Sequence, residues 1–105
     1  MLEVLSNPRC SKCRQAVAFL ESHGIEHRIR LYLQDPLSLE ELRALSNKLG
    51  QPPQSWIREK VEGSDDDRLQ ALAERPELLQ RPIVIAGDRA FVARTPEALE
   101  ALKEL

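Results

Sequence analysis

The chain has 105 residues, 42% hydrophobic and 30% charged, with a formal net charge of −2. That length predicts one domain over residues 1–105, with a single modest core. The charge balance points to neither nucleic acid nor an acidic membrane as partner, no stretch is apolar enough to span a bilayer, and MLEVLSN lacks the form of a signal peptide.

The expected compartment is therefore the cytosol, where a structural disulfide is unusual. That turns the two cysteines, Cys10 and Cys13, toward redox or catalytic chemistry. Two Cys and two His, with no second CxxC, are too few for a standard four-ligand zinc site, and no metal is expected. Arginine dominates the basic residues, eleven of fifteen. This bias suits a site that grips planar oxyanions in a fork of directed donors.

In chain order, MLEVL reads as a short strand that Asn7-Pro8 breaks. Ser11 to about Ser22 is helical, with Cys13, Val17 and Leu20 on one face and Gly24 as the stop. HRIRLYL alternates, with Ile29, Leu31 and Leu33 on one side, and predicts a second strand. Ser38-Leu39-Glu40-Glu41 has the form of a capping box, opening a helix that turns Leu39, Leu42, Leu45 and Leu49 inward and ends near Gly50. Two prolines in QPPQSWIREK make a turn, and SWIREK reads as one short helical turn. Ser64 and the following Asp run suit the start of a helix reaching about Arg75, before Pro76. PIVIAG and RAFVA, joined through Gly87-Asp88, read as a β-hairpin. Thr95 as N-cap and Pro96 at the first helical position open a last helix that packs Leu99, Leu102 and Leu105.

The order βαβ, two helices, then ββα makes strands 1 and 2 parallel by the crossover rule and adds an antiparallel hairpin. The expected fold class is α/β, a four-stranded mixed sheet with flanking helices in a thioredoxin-like arrangement.

Chemistry concentrates at SNPRCSKCR, residues 6–14. Cys10 stands just before the first helical turn, where free N–H groups and the helix dipole favour an anion. Arg9, Lys12 and Arg14 add positive charge. Both effects predict a depressed thiol pKa and a nucleophilic thiolate, and the same N–H groups suit a tetrahedral oxyanion above the sulfur. Cys13, one turn on and facing inward, reads two ways: a resolving thiol that attacks a mixed disulfide on Cys10, or a small core residue. His23 and His27 read as surface residues, Trp56 as a core anchor for its loop, and Tyr32 as packing.

NPRCSKxR resembles the active-site loop of the glutaredoxin-coupled arsenate reductases, and the likeness continues through LYLQDPLSLEELRAL, SWIREK, QRPIVI and ARTPEAL. The resemblance implies a thioredoxin-like fold and Cys10 as the catalytic nucleophile. It implies Arg58, Arg81 and Arg94 as the oxyanion-binding arginines and Arg14 as the basic residue of the active-site helix. Pro82 falls at the cis-proline position. It further implies arsenate as substrate, glutathione as co-substrate with no bound cofactor, and glutaredoxin or thioredoxin as partner; separately, nothing in the sequence argues against a monomer. Two positions depart from the pattern. Ser6 stands where characterised members have histidine, and Cys13 replaces a serine. The resulting CxxC is similar to that of the Spx-type regulators, which share the fold and use the pair as a redox switch, although they are generally longer and lack NPRC. Redox sensing or partner binding through a Cys10–Cys13 disulfide, and thioredoxin-like disulfide exchange, are the alternative functions.

Overall fold

In a computed structural model, which describes residues 1–104, the chain runs β1 (Leu2–Ser6), α1 (Ser11–Ser22), β2 (His27–Leu31), α2 (Leu39–Leu49), α3 (Asp65–Glu74), β3 (Ile83–Ala86), β4 (Arg89–Val92) and α4 (Pro96–Ala101). Short 3-10 turns at Pro53–Trp56, Pro76–Leu78 and Leu102–Glu104 complete it. The sheet order is β2-β1-β3-β4. β1 pairs parallel with β2 and antiparallel with β3, and β3–β4 is the expected hairpin. This is the mixed α/β sheet of a thioredoxin-like domain.

Alternation along β1 and β3 divides the core. Leu5 and Ile83 face a cluster with Leu42, Leu45, Leu69 and Leu72 of α2 and α3. Leu2, Val4 and Val84 face the opposite side, with Leu20 of α1 and Leu102 after α4. Each fully buried leucine contributes about 1.5–3 kcal/mol relative to exposure, and truncating Leu5 or Leu42 to Ala would cost about 2–5 kcal/mol.

The helix starts follow their caps. Ser38 Oγ accepts the Glu41 N–H at 3.1 Å while the Glu41 carboxylate accepts the Ser38 N–H at 3.0 Å. Gly50 closes α2 at φ 65°, in the left-handed region that favours glycine. α3 repeats the reciprocal box with Ser64 and Asp67, a pairing hidden in the sequence by an aspartate where Glu or Gln is usual.

Two expectations change. β2 ends at Leu31, and Tyr32 and Leu33 enter a turn closed on the Leu31 carbonyl by the Gln34 and Asp35 N–H groups at 3.0 and 2.9 Å. Because β2 is the sheet edge and α1 covers it incompletely, Ile29 and Leu33 remain 44% and 42% exposed, while Tyr32 is buried with the α2–α3 cluster. The helical turn expected in SWIREK lies earlier, at Pro53–Trp56. Ile57 is extended and pairs with Leu79. Leu102 is buried and Leu99 partly so, while Leu105 lies outside the described residues. Among the described residues no helix is long and apolar enough to cross a membrane.

Candidate active site

The sheet register builds the site. Ser6 pairs with Leu31 on one side, and the antiparallel β1–β3 pairing runs Leu5 to Ile83. Continued past the strand ends, these registers and that of β3–β4 would align Tyr32, Asn7, Arg81 and Arg94 across the edge of the sheet where β1 ends. Two hydrogen bonds hold the far end of this row. The Ala93 N–H donates to the Pro82 carbonyl at 2.9 Å, and Arg94 Nη1 donates to the Arg81 carbonyl. The Arg81–Pro82 bond is cis, and Pro82 is buried.

The loop between β1 and α1 is folded by Asn7. Its side-chain oxygen accepts the Arg9 N–H at 3.0 Å, and its carbonyl accepts the Cys10 N–H at 2.9 Å. Arg14 reaches back from α1 and donates to the Pro8 carbonyl at 2.9 Å. That bond assigns Arg14 a hold on the loop. Cys10 is therefore fixed at the N-cap of α1, with extended backbone, no acidic residue in the first turn and no directed side-chain cap. Such a position ordinarily carries Ser, Thr, Asp or Asn. Here the vacant N–H groups of the first turn lie beside a sulfur.

The electrostatics follow. Partial burial works against the Cys10 thiolate, but the Cys13 N–H, the Arg81 guanidinium, the Cys13 thiol and the Lys12 N–H favour it, and the pKa falls to about 7. The expected direction holds, with different agents. Backbone groups and the distant Arg81 dominate, in place of the side chains of Arg9, Lys12 and Arg14. Cys13 is wholly buried. Burial pushes its thiol up, opposed by the Asn7 N–H, which lies 3.4 Å from Sγ; the charge of Cys10 pushes it further up, and Ser6 counters weakly. The pair thus divides into a thiolate and a buried thiol that donates to it. Ser6, buried at the end of β1, faces Cys13.

The four expected arginines are not equivalent. Arg81 acts on Cys10 directly, and Arg94 is bonded to the Arg81 backbone. The Arg58 backbone is paired to the segment leading into Arg81, its N–H donating to the Leu78 carbonyl at 2.7 Å. Its side chain is exposed and makes no hydrogen bond among the described residues. Trp56 is wholly buried and donates Nε1–H to the Gln51 carbonyl at 3.2 Å, anchoring that loop.

One residue read as packing belongs to this edge. Tyr32 is 1% exposed, and burial first of all pushes its phenol up to about 12, with the nearby Arg81 countering and the two thiols adding to the rise. Arg81 and Tyr32 are neighbours, yet neither Tyr32 Oη nor the buried Arg81 Nε has a directed hydrogen-bond partner. Strand parity on β2 gave no hint of this. The parallel pairing did hold a signal, since whatever follows β2 emerges beside whatever follows β1.

Residues 5–102 match the ArsC family. An arsenate reductase of Neisseria meningitidis is 39% identical, with 96% of this chain and 97% of that protein covered. The global transcriptional regulator Spx of Enterococcus faecalis is 34% identical over 88% of this chain and 78% of its own. The solved structure of an arsenate reductase from Vibrio cholerae superimposes with a TM-score of 0.88 at 35% identity, covering 99% of this chain and 97% of that one. From the end of β1 through α4, then, this chain belongs to the ArsC family.

Proposed function

We propose that the chain reduces arsenate to arsenite through Cys10, with glutathione as reductant and glutaredoxin completing the cycle. The observation that carries this reading is a thiol held near pKa 7 at a helix start beside the Arg81 guanidinium. In the first step the Cys10 thiolate attacks arsenic(V), forming a sulfur–arsenic bond as hydroxide or water departs. Arg81, with Arg94 and Arg58, supplies permanent charge and directed donors to the oxyanion. A glutathione thiolate then bonds to the Cys10 sulfur. The sulfur–arsenic bond breaks with its electron pair going to arsenic, releasing arsenite and leaving a Cys10–glutathione disulfide. A glutaredoxin thiolate takes the glutathione sulfur and frees Cys10. Relatives bearing the name arsenate reductase support the substrate class.

The test is arsenate-dependent NADPH consumption with glutathione, glutaredoxin and glutathione reductase. Turnover is expected in the native chain and absent in Cys10→Ser. Activity persisting in that variant would refute the mechanism.

A second reading is favoured by the contact between the two thiols. In a redox sensor, peroxide converts the Cys10 thiolate to a sulfenic acid, and Cys13 attacks it, forming a disulfide and releasing water. This reading expects an internal disulfide, seen by mass spectrometry after mild peroxide and lost in Cys13→Ser, with no arsenate turnover.

A further inference from the structure

Tyr32 poses a physical question. Its ring lies in the core with Leu5, Trp56, Leu79 and Ile83, a place phenylalanine would fill without burying a hydroxyl. The hydroxyl has no directed partner, and neither does Arg81 Nε beside it. Buried donors and acceptors are ordinarily satisfied, and an unmet pair at one spot marks where a charge or a reoriented group is accommodated. Arg81 Nε–H is a donor only, whereas a phenol oxygen accepts as well as donates. A rotation of the guanidinium that turns Nε–H toward Tyr32 Oη would therefore satisfy both, leaving the guanidinium's outer N–H groups free for an anion.

We infer that Tyr32 is a positioning residue, whose buried hydroxyl is the acceptor that holds the Arg81 guanidinium over Cys10 and its oxyanion. The backbone supports this placement independently of the side chains. Tyr32 follows β2 as Asn7 follows β1, and Arg81 stands on the other side of Asn7 in the continued register. The charged and titratable groups around the pair are Cys10 and Cys13 at the head of α1 and Arg81 itself, with Arg94 on the Arg81 carbonyl. The inference rests on the oxyanion reading above for its ligand, but it concerns how this chain aims Arg81 at the sulfur.

Tyr32→Phe keeps the ring and removes the acceptor. Cys10 alkylation by iodoacetamide, assigned by mass spectrometry and followed against pH, reports thiolate formation. Inorganic phosphate, which does not react with the thiol, reports oxyanion binding by slowing that alkylation. With Tyr32 positioning Arg81, Tyr32→Phe moves the alkylation midpoint upward by ~0.5–1 pH unit and raises the phosphate needed for half-protection about tenfold. Identical pH profiles and identical protection in a folded variant would overturn the inference and leave Tyr32 a packing residue.

If Tyr32→Phe does not fold, the native sequence still decides. Tyr32 is the one tyrosine of the chain, so 3-fluorotyrosine labels it alone. Its fluorine signal should move as Cys10 ionises and again as phosphate is added, and both responses should vanish in Arg81→Gln. A signal flat through both titrations refutes the role. Arsenate turnover of the native chain is scored separately. Phosphate protection that depends on Tyr32, without turnover, sinks the reductase reading and spares this inference. Turnover with protection indifferent to Tyr32 does the reverse.

Discussion

The amino ends of α1 and α2 are built from the same backbone and finished in opposite ways. α2 begins with a reciprocal Ser38–Glu41 box and carries two acidic residues in its first turn. α3 is finished like α2, with Ser64, Asp67 and a first turn of three aspartates. α1 has neither a directed side-chain cap nor an acid in its first turn, and its N-cap is Cys10. All three ends present the same orphan N–H groups and the same positive dipole end. In α2 and α3 these are neutralised internally and the helix gains stability. In α1 they are left for an anion that comes and goes: a thiolate, and by the proposed function an oxyanion. A helix start without a cap is weak as structure and useful as a site.

The sharpest way to break this comparison is through Arg81, the side chain that distinguishes the α1 end from any other open helix start. Arg81→Gln should raise the pH at which Cys10 becomes alkylatable, and lower kcat/KM for arsenate about 100-fold or more, as loss of a directed charged donor to a reacting oxyanion does. Arg81→Lys, which restores charge without the planar fork, should recover only part of the loss. Unchanged alkylation and turnover in Arg81→Gln would mean that the helix end alone governs the thiol.

A second test finishes α1 as α2 and α3 are finished. Cys10→Asp places a permanent anion at the N-cap, abolishing thiol chemistry while stabilising the fold by about 1 kcal/mol at pH 6. The gain should depend on pH. The folded Cys10 thiol sits near 7 against an ordinary value of 9.0, so its ionisation stabilises the native fold progressively from about pH 7 upward, reaching full effect above 9.0. The aspartate advantage, read from urea midpoints, should therefore shrink over that interval. An advantage that is absent, or constant across it, would show that the α1 end is not a vacant anion site.

What could be read in the amino acids divides along the same line. Features whose cause is local were legible: the Ser38 box, the Gly50 stop, the Thr95–Pro96 start, and the hairpin around Gly87-Asp88 all specify themselves within a few residues. The lowered pKa of Cys10 was legible too, because a strand, a proline and a helix start surround it. The agents of its pKa were not. Lys12 and Arg14 are near in sequence, yet Arg14 is spent on the Pro8 carbonyl, while Arg81 arrives from far along the chain through sheet register. Tyr32 escaped for a related reason. Alternation along β2 places Tyr32 on the face of Leu5, but it carries no sign of the arginine that arrives there through β3.

The smallest expected effect lies at the α2 end, where the cap is complete and a charge is still involved. Glu41 is held down to about 2 from an ordinary 4.5, chiefly by Arg30, whose Nη1 lies 2.6 Å from Oε2, and then by the Ser38 N–H. A carboxyl depressed in the folded state binds fewer protons there than in the unfolded chain. Its stabilisation is therefore complete above about pH 4.5 and is lost as the pH falls toward 2. Glu41→Gln keeps an acceptor for the Ser38 N–H and removes the ion pair. Because the Glu41 side chain is 47% exposed and solvent screens the pair, the stability difference at pH 6 should stay below about 1 kcal/mol. It should narrow steadily when urea midpoints of the two proteins are compared at decreasing pH from 4.5. Cys10 reactivity should be the same in both, because this cap is closed upon itself. A gap that holds constant with acid would place the contribution of Glu41 in the neutral hydrogen bond rather than in its charge. A change at Cys10 would show that the two helix ends are not independent.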